Sequence, residues 1–298
     1  MSLIESALEK LRRVGDAQPG SGPRAASPTA PVTKAAAIVV AAPPAPAGPA
    51  KRITIDLKTL RNAGYLPEEG LERRFADHYR QIKRPLIERA LAGSPEMRLI
   101  LVSSALPGDG KTFTAINLAL SMARERDVSV LLVDADAPRA HVSEVFRIRG
   151  ERGLLDALTE ESLDVESLIV HTNVRGLDIL SAGTRAENAT ELLASARMSQ
   201  IAARLSAGNA RRLVVIDSAP VLVSSEARAL LRLPGQVVLV VRAGATPQHA
   251  IQEALSHVDK SKLQGLILNH APFKSGGGYY YYGYSSYGEG ADDVRETS

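Results

Sequence analysis

The chain has 298 residues, 45% of them hydrophobic and 23% charged, so it has ample length for one or two folded domains. Its net charge of +3 is too small to indicate a nucleic-acid partner, and its lack of cysteine excludes disulfides, thiolate nucleophiles and cysteine-based metal sites. No apolar run approaches the ~20 residues of a membrane-spanning helix and the acidic start is unlike a secretory signal, so we expect a cytoplasmic protein whose membrane association is peripheral.

The N-terminal region divides into a predicted helix and a linker. Residues 1–14 predict an amphipathic helix whose apolar face comprises Leu3, Ile4, Ala7, Leu8 and Leu11. This helix could dock on a partner or membrane surface, or fold back on the domain, and the sequence leaves both open. Residues 15–50 are rich in Pro, Ala, Gly and Ser, which predicts an extended linker. We expect residues 51–274 to form the folded domain and residues 275–298 a tail.

The domain begins with a short strand and a charged helix. Ile53, Ile55 and Leu57 alternate with polar residues, which predicts a short edge strand. Residues 71–91 predict a helix. Its charges are explained most simply by a solvated face, with contact between copies of the chain as the alternative. The charged residues are Arg73, Arg74, Asp77, Arg80, Lys83 and Arg84.

From residue 99 onward, strands and helices alternate. This pattern predicts an α/β fold with a doubly wound, mostly parallel sheet and helices on both faces. The predicted strands are 99–103, 129–133, 177–180, 213–216, 236–241 and 264–268. The predicted helices are 111–126, 153–158, 189–206, 224–231 and 247–259.

A phosphate-binding loop is predicted between the first of these strands and its following helix. Residues 105–112 match the G-x-x-x-x-G-K-[ST] pattern, except that Ala105 stands at the first glycine. Glycines let backbone N–H groups turn toward phosphate oxygens, and the helix N-terminus adds partial positive charge. Lys111 would reach the outer phosphates, and the Thr112 hydroxyl would ligate Mg²⁺. The predicted nucleotide-binding residues of the loop are Gly108, Asp109, Gly110, Lys111, Thr112 and Phe113.

Three carboxylates are predicted at the carboxyl ends of strands, where nucleotides bind on such sheets. Asp134 and Asp136 end one apolar strand, and Asp217 ends another. One carboxylate could coordinate Mg²⁺ or its waters while another accepts a proton. Each could instead cap the following helix, but their coincidence with the loop favours chemistry. Asn269, at the end of the last strand, could bond a purine base or serve as a turn residue.

The tail holds six of the eight tyrosines. They follow three glycines and lie within nine residues: Tyr279, Tyr280, Tyr281, Tyr282, Tyr284 and Tyr287. Such a segment is typical of a low-complexity tail. Because a nucleotide site precedes it in the same chain, we favour a row of phosphoryl acceptors, each gaining nearly two negative charges when modified.

In this order, the motifs resemble those of the bacterial tyrosine kinases of exopolysaccharide systems (BY-kinases), closest to the exosortase-associated autokinases. The resemblance implies a MinD/ParA-like P-loop fold, with ATP and Mg²⁺ as cofactors. It implies that Lys111 and Thr112 hold phosphate and Mg²⁺. It further implies that Asp134 binds Mg²⁺ and activates the tyrosine hydroxyl beside Asp136, while Asp217 holds Mg²⁺ through water. The implied activity is phosphorylation of the chain's own tail, which regulates polysaccharide polymerisation and export.

The resemblance also implies partners. Residues 77–84 are similar to the family's E-x-x-R-x-x-R oligomer contact, with Asp77 for Glu and Lys83 for the last Arg beside Arg80 and Arg84. The implied activator is a separate membrane protein of the chain-length type, which would keep the kinase at the inner membrane. A cognate tyrosine phosphatase is a further implied partner. One departure is Pro138, where many members carry Arg.

Two other functions remain to be weighed. A MinD/ParA-type ATPase would use nucleotide to drive dimerisation or partner binding, with water as acceptor. The loop lacks the extra lysine that such ATPases carry near its start, and that scheme gives the tyrosines no role. A degenerate nucleotide-binding scaffold would not need the complete set of Lys111, Thr112, Asp134 and Asp217. The sequence therefore favours the kinase.

Overall fold

The computed structural model describes residues 51–271. The predictions for residues 1–14, 15–50 and 275–298, including the six tail tyrosines, lie outside this range. Within it, eight strands form one sheet in the order β1-β4-β5-β3-β6-β2-β7-β8. Neighbouring strands are parallel except β4 and β5, so β1 and β4 run opposite to the other six.

The elements have the following bounds. The strands are β1 Arg52–Ile53, β2 Leu99–Ser104, β3 Ser129–Ala135, β4 Val170–Thr172, β5 Leu177–Leu180, β6 Arg212–Ser218, β7 Gln236–Arg242 and β8 Leu263–Asn269. The α-helices are α1 Leu57–Asn62, α2 Glu72–Ala92, α3 Lys111–Met122, α4 His141–Val145, α5 Leu154–Thr159, α6 Ala189–Leu193, α7 Ala196–Ala207, α8 Ser225–Leu230 and α9 Gln248–Ser256. Short 3₁₀ helices cover Pro95–Arg98 and Val165–Leu168.

A separate hydrophobic core covers each face of the sheet. Alternate residues of β2 point to opposite faces, because the side-chain period of a strand is two residues. Leu99 and Leu101 join the core under α7 and α9, and Ile100 and Val102 join the core under α2 and α3. All six residues of β2 are buried. This double burial explains why the strand sequences are continuous apolar runs.

The predicted parallel α/β architecture is confirmed, and all six predicted strands are present. Three elements were missed: α1, β4 and α4. The strand β4 has only three residues, and α4 has five, too few for a periodic pattern to emerge. No helix among residues 51–271 is both long and apolar enough to cross a membrane.

Two element predictions were wrong, and a capping side chain accounts for each. The predicted helix 189–206 is two helices, because the Ser195 hydroxyl accepts a hydrogen bond from Met198 N at 3.2 Å and starts α7. The predicted strand through Leu57 ends at Ile53. Asp56 caps α1 by accepting from Lys58 N at 2.9 Å, so Leu57 begins a helix.

Lys83 itself fits neither interpretation of the charges on α2, while the exposed Asp77 and Arg80 remain consistent with both. Its side chain is buried, with its Nζ 2.7 Å from the Ser121 carbonyl oxygen and 2.7 Å from a Glu125 carboxylate oxygen. Lys83 therefore contributes neither to a solvated face nor to a surface open to another copy. Arg80 does lie on the exposed face, paired with Asp77 at 2.7 Å.

The sheet brings the predicted site residues together. Asp134 of β3 and Asp217 of β6 are partners in register, and Asp217 is also the partner of Val102 in β2. The loop that follows β2 therefore opens directly beside both carboxylates. This common edge of the sheet is the candidate active site.

Candidate active site

The loop between β2 and α3 has the backbone of an anion cradle. Gly108 and Gly110 have φ values of 86° and 96°, a left-handed region that favours glycine. A Cβ on Gly110 would lie 1.9 Å from Asn269 Nδ2, so a side chain there would displace the Asn269 amide. The backbone N–H groups of residues 108–112 donate to no acceptor within the described residues. Five donors at a helix N-terminus form a binding site for phosphate.

Residues at or just after the ends of two neighbouring strands, β7 and β8, hold the loop in place. Asp109 is buried, and its carboxylate accepts from Leu106 N at 3.1 Å and from Thr246 Oγ1 at 2.7 Å. Asn269 Nδ2 donates to the Asp109 carbonyl oxygen at 3.0 Å. The sequence analysis predicted nucleotide contacts for Asp109 and Asn269. In this structure their side chains shape the loop, and Thr246 is a support that the sequence did not reveal.

Lys111 makes a buried ion pair with the end of β3. Its Nζ lies 2.7 Å from Asp136 Oδ2, and the two side chains are 7% and 1% exposed. A buried ammonium requires such a partner, since an isolated charge is costly away from water. The predicted loop cation and the predicted β3 carboxylate are therefore in direct contact.

Thr112 is paired with the end of β6. Its hydroxyl donates to Asp217 Oδ2 at 2.7 Å, while Asp217 Oδ1 is buried without a hydrogen-bond partner in the described residues. Burial raises the pKa of Asp217 to about 7; the Lys111 charge opposes this rise and the Asp134 charge adds to it. An unpartnered buried carboxylate oxygen calls for a donor or a cation.

Asp134 is held by a residue of α4. Its Oδ2 accepts from both the backbone N and the hydroxyl of Ser143, each at 2.7 Å, and its Oδ1 accepts from Asp136 N at 3.3 Å. Burial raises the pKa of Asp134 to about 6, and the Ser143 hydrogen bonds oppose that rise. Both oxygens are engaged, so its role as a Mg²⁺ ligand stays a prediction. Ser143 was not found from the sequence, because α4 itself was missed.

Two further side chains share the electrostatic environment of the site. Burial lowers the pKa of His141, and the nearby Lys111 charge lowers it further. Burial raises the pKa of Tyr65, with contributions from Glu144 and Asp217. The sequence analysis assigned neither residue a role; Tyr65 lies about seventy residues before Asp136 and reaches this edge only through the fold.

Phe113, a predicted nucleotide-binding residue, packs away from the cradle. Its ring meets the ring of Phe75 in α2 edge-on, with centroids 6.2 Å apart. Any contact of Phe113 with nucleotide is therefore a matter for its backbone N–H. The aromatic pair ties the first turn of α3 to α2.

The donor set fits magnesium held together with a nucleotide. Among the described residues, no group of three or more His, Cys, Asp or Glu side chains could hold a metal ion by itself. Mg²⁺ in phosphate-transfer sites takes one or two carboxylates, and substrate phosphates and water complete its coordination. The Thr112 hydroxyl and the unpartnered Asp217 oxygen provide such a partial set. Fold and loop together define a P-loop nucleotide-binding protein.

The chain was compared with known families and curated proteins. The AAA domain family matches residues 97–269, more than half of the chain. Tyrosine-protein kinase YwqD of Bacillus subtilis (strain 168) is 34% identical over 191 residues, which cover 63% of this chain and 78% of that protein. Tyrosine-protein kinase etk of Escherichia coli (strain K12) is 30% identical over 188 residues, so this chain spans only 25% of that longer relative.

Solved kinase structures share the fold. The VpsO kinase domain is 30% identical with a TM-score of 0.57, covering 69% of this chain and 100% of that structure. The kinase domain of the Escherichia coli tyrosine kinase ETK is 28% identical with a TM-score of 0.55, covering 64% and 74%. The chain belongs to the bacterial tyrosine-protein kinase family, as the sequence resemblance implied.

Proposed function

We propose that the protein is an ATP-dependent protein-tyrosine autokinase that phosphorylates the tyrosines of its own tail. The observation that carries the proposal is the pairing of Lys111 with Asp136 and of Thr112 with Asp217 at the rim of the loop. A phosphate cradle, a cation beside it and strand-end carboxylates are the parts that phosphoryl transfer requires. Family membership supports tyrosine as the acceptor.

Lys111 is proposed to exchange partners when ATP binds. Its ammonium is held by Asp136 in this structure and would move to the outer phosphates of the nucleotide. The Asp136 carboxylate would then be buried without its cation, so its oxygens would be open to a hydrogen bond from the phenol. Asp136 is thereby prepared to take the proton of the attacking phenol. Asp134, fixed by Ser143, would keep the end of β3 in place and add negative charge.

Magnesium is proposed to lie between the loop and β6. The Thr112 hydroxyl would ligate it, and Asp217 would hold it through a water molecule. When bound, the ion neutralises charge on the transferring phosphoryl group. The chain itself positions Asp217 away from solvent, with one carboxylate oxygen that accepts no hydrogen bond from the described residues.

The acceptors are proposed to be the six tail tyrosines. The tail follows β8, which ends at Asn269 beside the loop. From Asn269 to Tyr284 an extended chain reaches at most ~50 Å. That length permits transfer within one chain or to a neighbour. Accumulated phosphate charge would repel the tail from its docking site.

The partners and location follow from family membership. We propose that a membrane protein of the chain-length type activates the kinase at the cytoplasmic face of the inner membrane. The kinase would then regulate exopolysaccharide polymerisation and export. A tyrosine phosphatase would reverse its modification. Self-association is proposed through Asp77, Arg80 and Arg84, without the buried Lys83.

The test is incubation with Mg²⁺ and γ-labelled ATP followed by mass mapping of the label. The wild type is compared with Lys111→Met and with a chain ending at Ser275. Label on the tail tyrosines that disappears in Lys111→Met is the expected result. ATP hydrolysis without labelled tyrosine, even with the activator's cytoplasmic segment present, would instead identify a MinD/ParA-type switch ATPase.

A further inference from the structure

A second cation borders the loop, and nothing in the mechanism above uses it. Arg242 is the last residue of β7, the strand next to β2, and it is exposed. Its side chain makes no ion pair or hydrogen bond with any described residue, in contrast to Lys111, which Asp136 holds. An arginine without a partner at the mouth of an anion cradle needs a physical explanation.

The guanidinium of Arg242 is directed at the loop. Its Nη1 lies 4.0 Å from the position that a Cβ of Gly108 would occupy. Gly108 has a φ of 86° and no side chain, so the guanidinium approaches the backbone of the cradle itself. An anion resting on the N–H groups there comes within reach of the arginine.

The backbone of Arg242 is fastened to the loop. Arg242 N donates to Thr246 Oγ1 at 2.9 Å, and that hydroxyl donates to Asp109 at 2.7 Å. Arg242 is also the register partner of Asn269, whose amide bonds the Asp109 carbonyl oxygen. The base of the side chain is therefore fixed relative to the cradle, while the guanidinium remains unengaged.

Among the described residues, no carboxylate pairs with this cation. Asp109 lies in the loop, but its two carboxylate oxygens accept from Leu106 N and Thr246 Oγ1. The guanidinium approaches the loop at Gly108, whose N–H is one of the unengaged donors of the cradle. A phosphate group bound at the loop would offer oxygen acceptors both to the loop N–H groups and to the guanidinium. Arginine can pair with two such oxygens at once, because its N–H donors form a planar fork.

We infer that Arg242 is a further nucleotide-binding residue, whose guanidinium pairs with a phosphate oxygen of the nucleotide on the Gly108 side of the loop. This inference rests on the proposed function, since it assumes that the loop holds a nucleotide. It assigns the two cations different tasks. Lys111 leaves a buried partner to reach the nucleotide, and Arg242 approaches from solvent.

The test measures the affinity of fluorescent ATP and ADP analogues with Mg²⁺ for the full chain. The variants are Arg242→Ala, Arg242→Gln and Arg242→Lys, with Lys111→Met as the loss-of-site reference. Arg211→Ala is the matched control, because Arg211 is an exposed arginine at the amino end of β6, away from the loop. Thermal unfolding of each variant confirms folding.

Arg242→Ala and Arg242→Gln are expected to weaken binding about tenfold, the range of one charge-assisted hydrogen bond. Arg242→Lys should retain part of the affinity, and the salt dependence of binding should fall in both neutral variants. Affinity of Arg242→Gln within twofold of the wild type would overturn the inference while leaving the nucleotide site intact. Wild-type protein that binds no ATP would overturn both the inference and the proposed function.

Discussion

Lys111 Nζ and Asp136 Oδ2 lie 2.7 Å apart in a position almost closed to solvent. The cation that should meet the phosphates is thus neutralised by the carboxylate that should meet the acceptor. Neither group can act while they face each other. Nucleotide binding has to separate them, so formation of the reactive site is coupled to arrival of the substrate.

Replacement of Asp136 should separate catalysis from binding. Asp136→Asn keeps the side-chain shape but removes the carboxylate, so it should lower the rate of tail labelling by about 10²-fold or more, the usual loss when a proton acceptor is removed. ATP affinity should be unchanged or higher, since Lys111 no longer has a competing anion. Single-turnover labelling and equilibrium binding measure the two effects. Labelling at the wild-type rate would rule out Asp136 as the proton acceptor.

The stability of the nucleotide-free protein should depend on the Asp217 carboxyl. Burial raises its pKa from 3.8 to about 7, so the folded state holds a proton that the unfolded chain releases. This stabilising contribution is complete below pH 3.8 and disappears as the pH rises through about 7. Thermal midpoints across this range should therefore fall less steeply with pH in Asp217→Asn than in wild type. Asp127→Asn, which removes an exposed carboxyl outside the site and the proposed contact surface, is the control and should keep the wild-type slope.

Gly110 should tolerate no side chain. Gly110→Ala would place a Cβ 1.9 Å from Asn269 Nδ2 and strain a backbone with a φ of 96°, so the Asn269 amide must leave Asp109 or the loop must shift. We expect ATP binding to be lost. The free energy of unfolding should fall by more than the roughly 1–2 kcal/mol that left-handed backbone strain alone would cost. The matched control is Gly150→Ala, which has a φ of 87° but nothing within 4 Å of the new Cβ. Equal stability losses and unimpaired ATP binding would contradict the steric argument.

Lys83 and Arg80 should affect different properties. Lys83→Ala removes a buried ammonium from Ser121 and Glu125, so it should lower the free energy of unfolding by about 1–3 kcal/mol without altering the oligomeric state. Arg80→Ala removes an exposed charge, so it should leave stability nearly unchanged and weaken self-association. Denaturant unfolding and light scattering distinguish the two. A change of oligomeric state in Lys83→Ala, with stability intact, would show that Lys83 does belong to the contact surface between copies of the chain.

The sequence predicted the elements whose signals are local. The apolar runs of the central strands and the glycine loop depend on neighbouring residues, and the structure has them where they were expected. Partners distant in sequence were not predictable. Ser143 reaches Asp134 only because α4 folds over β3, and Lys83 is buried because α2 packs on α3. A lysine in a charged helix carries no sequence signal of its own burial.

The end of β8 gives the loop an unusual attachment. Asn269 holds the carbonyl of Asp109, and the chain continues from Asn269 toward the tyrosine-rich segment a few residues beyond. Asn269 is therefore held twice at this edge, by its side chain on Asp109 and by its carbonyl oxygen, which accepts from Ala243 N at 2.8 Å. Because Asn269 is both the last residue of β8 and a support of the loop, a displacement of this strand end would alter the shape of the phosphate cradle.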